Sequence, residues 1–528
     1  MKNSTKKTRM FVLNLLWIAF IFLSFLFMAH LPNAYAQHLD DDILRASKSI
    51  DDVLRYSVPD AIISPRVAAL GFSYYGISDD ASAMLFNPAG LSLIHGYELG
   101  AGFNFNNSTV ETNFLNTSKK QSNTEPYFSN IQIAFPMQAS FGNLLEPLQY
   151  TIAFGYSLEN DFSSNCRWGA FNPQNSFISE QALKKAHWLN ATKLLDTTFI
   201  TNITGDVQQE GRVIEEGGLH NLTFGIALDI SPSLSIGGSL ITKIGTYQYR
   251  KVFMESDILN IYNEYLVDDF NSLVLNYNLL QDIAAVTGAI GMQFKLEDWF
   301  RAGFSVKFPT YTYISEEHRV NIHVQYDPDP NSGIAEYGNY DFSSTDYYSN
   351  YSPKLKDYYI NSPFEFSFGA SANFFSTTVS VAASYKSLSS SSVEHDFGDI
   401  FDRYNYEYNY FFTSDSLNDA ISKHLSNYWI FGIGAEHKLQ NLPIYLRASY
   451  TGISSPYANS NLGSFKHIVG AGFSLIIMKN FSIESAFVYK NYTYRNTNYG
   501  SDRTPDYYSH FDAKFNSINY AIGFRYRY

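Results

Sequence analysis

The chain has 528 residues, of which 17% are aromatic (41 Tyr and 43 Phe), only 16% are charged, and the formal net charge is −13. Soluble proteins carry about 25% charged residues, and an acidic chain without clustered Lys and Arg is excluded as a nucleic-acid binder. Beyond residue 30 no stretch supplies the roughly 20 consecutive apolar residues of a membrane helix, and the single cysteine, Cys166, excludes an internal disulfide framework.

The N-terminus predicts a secretory signal peptide over 1–36. Lys2, Lys6, Lys7 and Arg9 precede an apolar run from Phe11 to Ala29, and Ala34-Tyr35-Ala36 is a small-x-small cleavage site. An uncleaved anchor is the alternative reading. Residues 37–95 then read as an N-terminal helix and a compact plug. Leu39, Ile43, Ala46, Ile50 and Val53 recur at helical spacing, and Asp40, Asp41 and Asp42 favour the positive end of such a helix. That helix is either part of the plug or rests on the periplasmic mouth of a barrel.

The organising stretch is Asp79-Asp80-Ala81-Ser82-Ala83-Met84-Leu85-Phe86-Asn87-Pro88-Ala89-Gly90-Leu91. Asp79 or Asp80 can cap a short helix over Ala81–Phe86 by accepting free backbone N–H groups. Asn87 precedes a proline and is pushed out of the helical region, so the helix stops there. Asn87 and Pro88 start a turn, and Gly90 supplies backbone freedom. On the local pattern alone an ordinary helix end before a strand remains open.

This D-D-A-S-A-x-x-x-N-P-A-G-L run, set between a signal peptide and a series of strands, resembles the FadL/TodX family of outer-membrane transporters for hydrophobic compounds. Asn87, Pro88 and Ala89 match the family's Asn-Pro-Ala segment, and Ala68-Ala69-Leu70-Gly71 and Gly76 fit its small-residue lead-in. The resemblance implies a hatch that plugs the lumen, with Asp80, Asn87, Pro88, Ala89 and Gly90 as hatch or gating residues. It also implies helical outer loops that form an apolar landing groove, and sideways exit through a gap in the wall; Pro136 or Gly155 could mark such a gap, and simple termination of the strand is the alternative at Pro136.

After Leu91 the apolar period becomes two. Tyr97, Leu99, Ala101, Phe103 and Phe105 alternate with Glu98, Gly100, Gly102 and Asn104. Apolar-out, small-or-polar-in alternation is the pattern of a lipid-facing barrel strand. It recurs near 97–105, 128–137, 148–157, 220–230, 233–244, 283–294, 300–309, 363–374, 377–386, 428–437, 443–450, 466–475, 481–489 and 515–528. The expected fold class is therefore all-β, a fourteen-stranded antiparallel transmembrane barrel over 96–528 with a partly helical N-terminal hatch. Short links at Ser231-Pro232-Ser233, Leu296-Glu297-Asp298 and Met478-Lys479-Asn480 read as periplasmic turns. Segments 158–219, 245–282, 310–362 and 387–427 read as long outer loops. Trp299 and Trp429, with Tyr156, Tyr450 and Tyr489, fit interfacial girdles.

Residues 176–196 (Phe177, Ile178, Leu183, Trp188, Leu194) and 257–276 (Ile258, Ile261, Tyr262, Phe270, Leu273) are apolar and helix-prone. They are either an exposed landing surface or a cap packed on itself. Arg301, Lys307, Arg447, Glu484, Arg525 and Arg527 point inward by the alternation. They are lumen charges, paired or solvated, and Arg301, Lys307, Arg447 and Glu484 are candidates to touch a ligand. Asp327-Pro328-Asp329-Pro330-Asn331-Ser332-Gly333 resembles a calcium loop whose glycine falls one place late, and His318 and His323 lack zinc-site spacing. No catalytic motif appears, so neither enzyme activity nor a cofactor or metal is expected. The expected partners are a hydrophobic small molecule, outer-membrane lipid and the barrel-assembly machinery. Transport of long-chain fatty acids or similar molecules is the first reading; a plugged barrel serving as a protein-binding scaffold is the alternative.

Overall fold

The computed structural model describes residues 43–58, 60, 63–139, 148–183, 194, 200–262, 269–297, 299–327, 340–343, 356–395, 414–499 and 509–528. The expected signal peptide, Leu39, Asp40–Asp42, Trp188, and the calcium-like stretch beyond Asp327 lie outside the described residues. Nineteen strand segments form one sheet. Some are continuations of an interrupted strand, and the wall itself is a closed antiparallel barrel of 14 strands.

The wall strands are β1 (Glu98–Phe114), β2 (Thr117–Ala139), β3 (Leu148–Asp161), β4 (Val207–Ser231), β5 (Leu234–Ser256) and β6 (Phe270–Glu297). β7 (Phe300–Lys307, resuming at Thr310–Tyr326) is broken by Pro309, and β8 (Lys356–Ser362, resuming at Glu365–Phe374) by Pro363; neither proline offers an N–H to the ladder. The rest are β9 (Thr377–Ser387), β10 (Asn427–Lys438), β11 (Ile444–Ile453), β12 (Lys466–Met478), β13 (Phe481–Tyr499) and β14 (Ser509–Arg527). β14 pairs with β1 from Glu98↔Arg527 to Asn113↔Asp512, and Tyr97 and Tyr528 exchange backbone hydrogen bonds of 3.0 and 2.9 Å. Closure leaves no free edge in the membrane, where unpaired backbone groups are costly.

Each strand read from the sequence is present, but the outer boundaries differ. About 9–11 residues span a membrane as tilted strand, whereas β4, β5 and β6 have 25, 23 and 28 residues. Much of what reads as outer loop is strand that stands above the bilayer. The first outer connection is a tight turn at Leu115 and Asn116, both with positive φ. The helix-prone stretch 257–276 contains the start of β6, so Phe270 and Leu273 lie on a strand with their side chains fully buried.

Pro136 and Gly155 mark no gap. Pro136 pairs with Thr151, and Gly155 with Gln132 and Thr223, in unbroken ladders. Pro136 lies beyond the last β1–β2 pair, Glu98↔Ala134, where its missing N–H has no partner to lose. The β2–β3 ladder stops instead above Asn130↔Ser157. β3 continues as Ser164–Asn172, which pairs with β4, while the outer part of β2 pairs with β1.

Among the described residues four helices accompany the wall: α1 (Ile43–Ser57), α2 (Pro65–Leu70), α3 (Phe177–Leu183) and α4 (Ser414–His424). α2 is followed by three short 3-10 helices, Gly71–Gly76, Ala81–Leu85 and Pro88–Leu93. The outer end of the barrel has its own core, in which Trp168 stacks on Phe511 at 4.5 Å among Phe114, Phe177, Ile178, Phe253, Phe270 and Tyr499. The apolar loop residues Phe177, Ile178 and Leu194 therefore cap the barrel from within, while Leu183, Ile258 and Ile261 stay exposed. Cys166 lies in this core; burial pushes its thiol up to about 12 and Glu215 adds to the rise, which suits an inert side chain.

Candidate functional site

The hatch is built from short capped elements. The Ser64 side chain accepts from Val67 N (3.3 Å) to start α2, with Pro65 in the first turn. Asp80 caps the turn Ala81–Leu85 by accepting from Ser82 N (2.9 Å), and Asn87 caps Pro88–Leu93 by accepting from Ala89 N (3.3 Å). The helix expected over Ala81–Phe86 is a 3-10 helix over Ala81–Leu85.

This knot sits in the lumen against small residues of the wall. A Cβ on Gly237 of β5 would lie 2.5 Å from Ala89 N, and one on Gly291 of β6 would lie 2.0 Å from Asn87 Oδ1. The inward glycines that alternate with lipid-facing residues thus let backbone meet backbone. Gly90 is needed inside the hatch, since a Cβ there would lie 2.0 Å from Ser78 O. The Asn87 amide also reaches the wall, donating to Met292 O (3.1 Å) and Gln293 Oε1 (3.0 Å). Local turn geometry predicts the cap but not these two bonds.

Ion pairs fix the periplasmic side of the hatch. Arg66 contacts Asp79 (2.5 Å), Asp80 (2.9 Å) and Glu436 of β10 (3.1 Å). Arg447 contacts Glu436 (2.5 Å), and Arg525 bridges Asp80 and Glu484 at 3.0 Å each. Arg527 holds Glu98 (2.6 Å), which accepts from Ala81 N (2.8 Å). Tyr74 OH donates to Asp80 (2.6 Å). Burial works to raise the Asp80 carboxyl, but the guanidinium groups of Arg525 and Arg66 overcome it and hold that carboxyl far below the usual carboxylate range. Removing one partner of a buried pair of this kind costs about 3–5 kcal/mol, since the other charge is left unpaired.

Of the lumen charges expected to touch a ligand, Arg447 and Glu484 belong to this hatch network. Arg301 stands at its edge, 3.9 Å from Asp79. Lys307 does not join it. It sits higher on the wall, in register with Glu365, which also pairs with Lys386 across β8–β9. Lys243 contacts Glu159 (2.6 Å) in the same region, and Lys307 and Lys386 both act electrostatically on that carboxylate. Among the described residues Lys307 makes no ion pair. The sequence reading missed Lys243, Lys386, Glu159 and Glu365; each falls at an inward position of its strand, so parity could have found them. Arg66 was also missed, for lack of any local signal.

α1 lies within the lumen in the outer half of the barrel and does not rest on the periplasmic mouth. Its Tyr56 and Asp52 bond Gln281 of β6 and Tyr358 of β8, and Lys386 of β9 donates to Ser57 O (3.0 Å). The link from α1 to α2 is anchored at Asp60, which contacts Lys466 (2.7 Å) and Lys490 (3.5 Å). Burial opposes ionisation of Asp60, yet the two ammonium groups hold its carboxyl below its ordinary value.

No family model matches the sequence, and no curated protein matches it. Among solved structures, a FadL homologue from Pseudomonas aeruginosa aligns with a TM-score of 0.50 at 11% identity, over 89% of this chain and 99% of its own. The toluene transporter TbuX of Ralstonia pickettii aligns at 0.48 with 15% identity, over 88% and 98%. The toluene transporter TodX of Pseudomonas putida aligns at 0.48 with 12% identity, over 88% and 98%. The likeness is one of fold. This chain has the FadL type of plugged barrel, and the apolar band that its wall turns outward places it in the outer membrane.

Proposed function

We propose that this protein carries hydrophobic and amphipathic small molecules, of the long-chain fatty acid kind, across the outer membrane through its plugged barrel. The observation that carries the reading is the hatch itself: a capped, ion-paired knot seated on glycines inside a closed wall that faces lipid. An element so placed stops leakage of polar solutes, and it can move without disturbing the hydrogen bonds of the barrel, which lie between strands. Asp80, Asn87, Pro88, Ala89 and Gly90 form the gate in this reading, and Arg301, Arg447 and Glu484 hold it shut. Lys307, with Lys243 and Lys386, is the place for the anionic end of an amphiphile. The end of the β2–β3 ladder above Asn130 and Ser157 offers a sideways exit.

The test is uptake. Cells that make the protein should take up a labelled long-chain fatty acid faster than cells without it, with no gain for a sugar of similar mass. Sugar entry without a fatty-acid gain would overturn the reading in favour of a general pore.

A further inference from the structure

We propose that α1 is a stopper for the outer half of the lumen, a second closure in series with the hatch, and that solute passes only when α1 leaves its seat. The proposal rests on the transport reading for its purpose, but not for its geometry.

The seat has an apolar side and a polar side. Ile50, Val53 and Tyr56 are buried against Leu279, Ile283, Ile314 and Ile360 of the wall and against Leu417 and Ile421 of α4. The polar contacts reach three neighbouring strands. Asp52 accepts from Tyr358 OH (2.6 Å) and Gln281 Nε2 (3.3 Å), and both donors also serve Glu316 of β7 (3.2 and 2.9 Å). Arg55 pairs with Asp52 and lies over the Tyr247 ring of β5, 3.8 Å from its centroid.

The last turn is tied separately. Asn160 of β3 donates to Arg55 O (2.7 Å) and Val58 O (3.2 Å). Lys386 adds a cation at the negative end of the helix, and Ser57 Oγ meets Ser362 Oγ of β8 at 2.5 Å. Strands β3, β5, β6, β7, β8 and β9 thus all turn side chains toward one helix.

Two features separate a stopper from permanent filling. A helix with its side chains occupies a cylinder about 10–12 Å across, so α1 obstructs the interior between the outer core and the hatch. The seat also mixes apolar contacts with Asp52, Arg55, Glu316 and Glu215. A buried charged seat gives little net stability over an apolar one of the same shape, so it specifies where the helix docks without making docking irreversible. The outer core shows the other solution, with Trp168, Phe511, Phe253 and Phe270 packed together.

The test locks the helix in place. Ser57→Cys with Ser362→Cys, in a Cys166→Ser background, places two thiols within disulfide reach, because the parent hydroxyl oxygens are already in contact. Oxidised protein in the outer membrane should lose fatty-acid uptake to the level of cells without the protein, and reductant should restore it. A second variant, Val53→Asp, buries a carboxylate in the apolar side of the seat and should expel α1. Because the hatch still closes the lumen in series, the readout combines it with Asn87→Ala: single-channel ion conductance should exceed that of either single variant, while heat-modifiable gel mobility shows an intact barrel. Oxidised protein that transports at the reduced rate, or a Val53→Asp, Asn87→Ala protein that conducts no better than Asn87→Ala alone in an intact barrel, overturns the proposal. If the parent protein takes up no fatty acid at all, the transport reading fails, and the conductance of Val53→Asp, Asn87→Ala against Asn87→Ala still decides whether α1 is a stopper.

Discussion

β4 carries two opposite patterns on the two sides of Gly217. Below it, in the membrane, Leu222, Phe224 and Ile230 face outward, and Asn221, Thr223, Gly225 and Ala227 face the lumen. Above it, Glu210, Arg212 and Glu216 face outward, and Val207, Val213 and the small Gly211 beneath Trp168 face inward. Gly217 itself has φ +113 and lies where a Cβ would meet Thr246 O at 2.2 Å, a position that only glycine fills without strain. The period of two survives the change and its sign largely reverses, with Gln209 the buried polar exception on the inward side. Lipid outside removes any drive to gather apolar side chains inward, so the membrane half fills its lumen with a hatch seated on small residues. Water outside restores that drive, so the outer half builds a core. The rim between them is marked by outward Tyr156, Tyr450 and Tyr489, which bond His220, His467 and Asn516 at 2.9, 2.8 and 3.0 Å.

The largest effect that sharpens this contrast is a truncation in the outer core. Trp168→Ala should cost about 3–5 kcal/mol there, as buried aromatic deletions do. Inward Thr223→Ala in the membrane half should stay within about 0.5 kcal/mol, since the Thr223 hydroxyl has no hydrogen-bond partner among the described residues. Urea unfolding in detergent, read beside proteolysis of the outer segments, measures both. Equal costs would break the distinction between the halves.

A smaller effect lies on the outward face. Phe224→Arg should destabilise insertion by about 2–4 kcal/mol if Phe224 stands near the bilayer midplane. Gln208→Arg, on the same face of the same strand above the rim, should be close to neutral. Refolding titrations into lipid vesicles compare the two, and a tolerated arginine at 224 would mean that the membrane band has been placed wrongly.

The smallest effect concerns the hatch alone. Asn87→Ala removes one cap bond and two wall bonds from an element the barrel does not need, so the barrel should insert and resist heat as the parent does. Loss of a typical hydrogen bond, about 1 kcal/mol, should loosen the hatch enough to raise small-ion leak or lower uptake. Pro88→Ala, which frees the φ angle of the following turn, should act in the same direction. Unchanged conductance and uptake in both variants would leave Asn87 and Pro88 as a helix end without a gating part.

Strand number, the periplasmic turns and the caps at Asp80 and Asn87 were legible in the sequence, because each depends on neighbours within a few residues. Alternation is fixed by the pleat, and a cap is fixed by one side chain and the N–H groups just after it. The outer halves of β4, β5 and β6 were not legible as strand, because a search for apolar-out alternation passes over a stretch where the polarity is reversed. Nor could the sequence choose between two sites for α1. Its apolar spacing shows that one face is covered, but what covers it is Leu279, Ile314 and Ile360, brought round by closure of the barrel. The lumen charges divide in the same way. Parity alone turns Arg447, Glu484 and Lys307 inward, while barrel closure and the hatch give Arg447 and Glu484 their partners and leave Lys307 to the space above. Such pairings join residues hundreds of positions apart, and no local rule reaches that far.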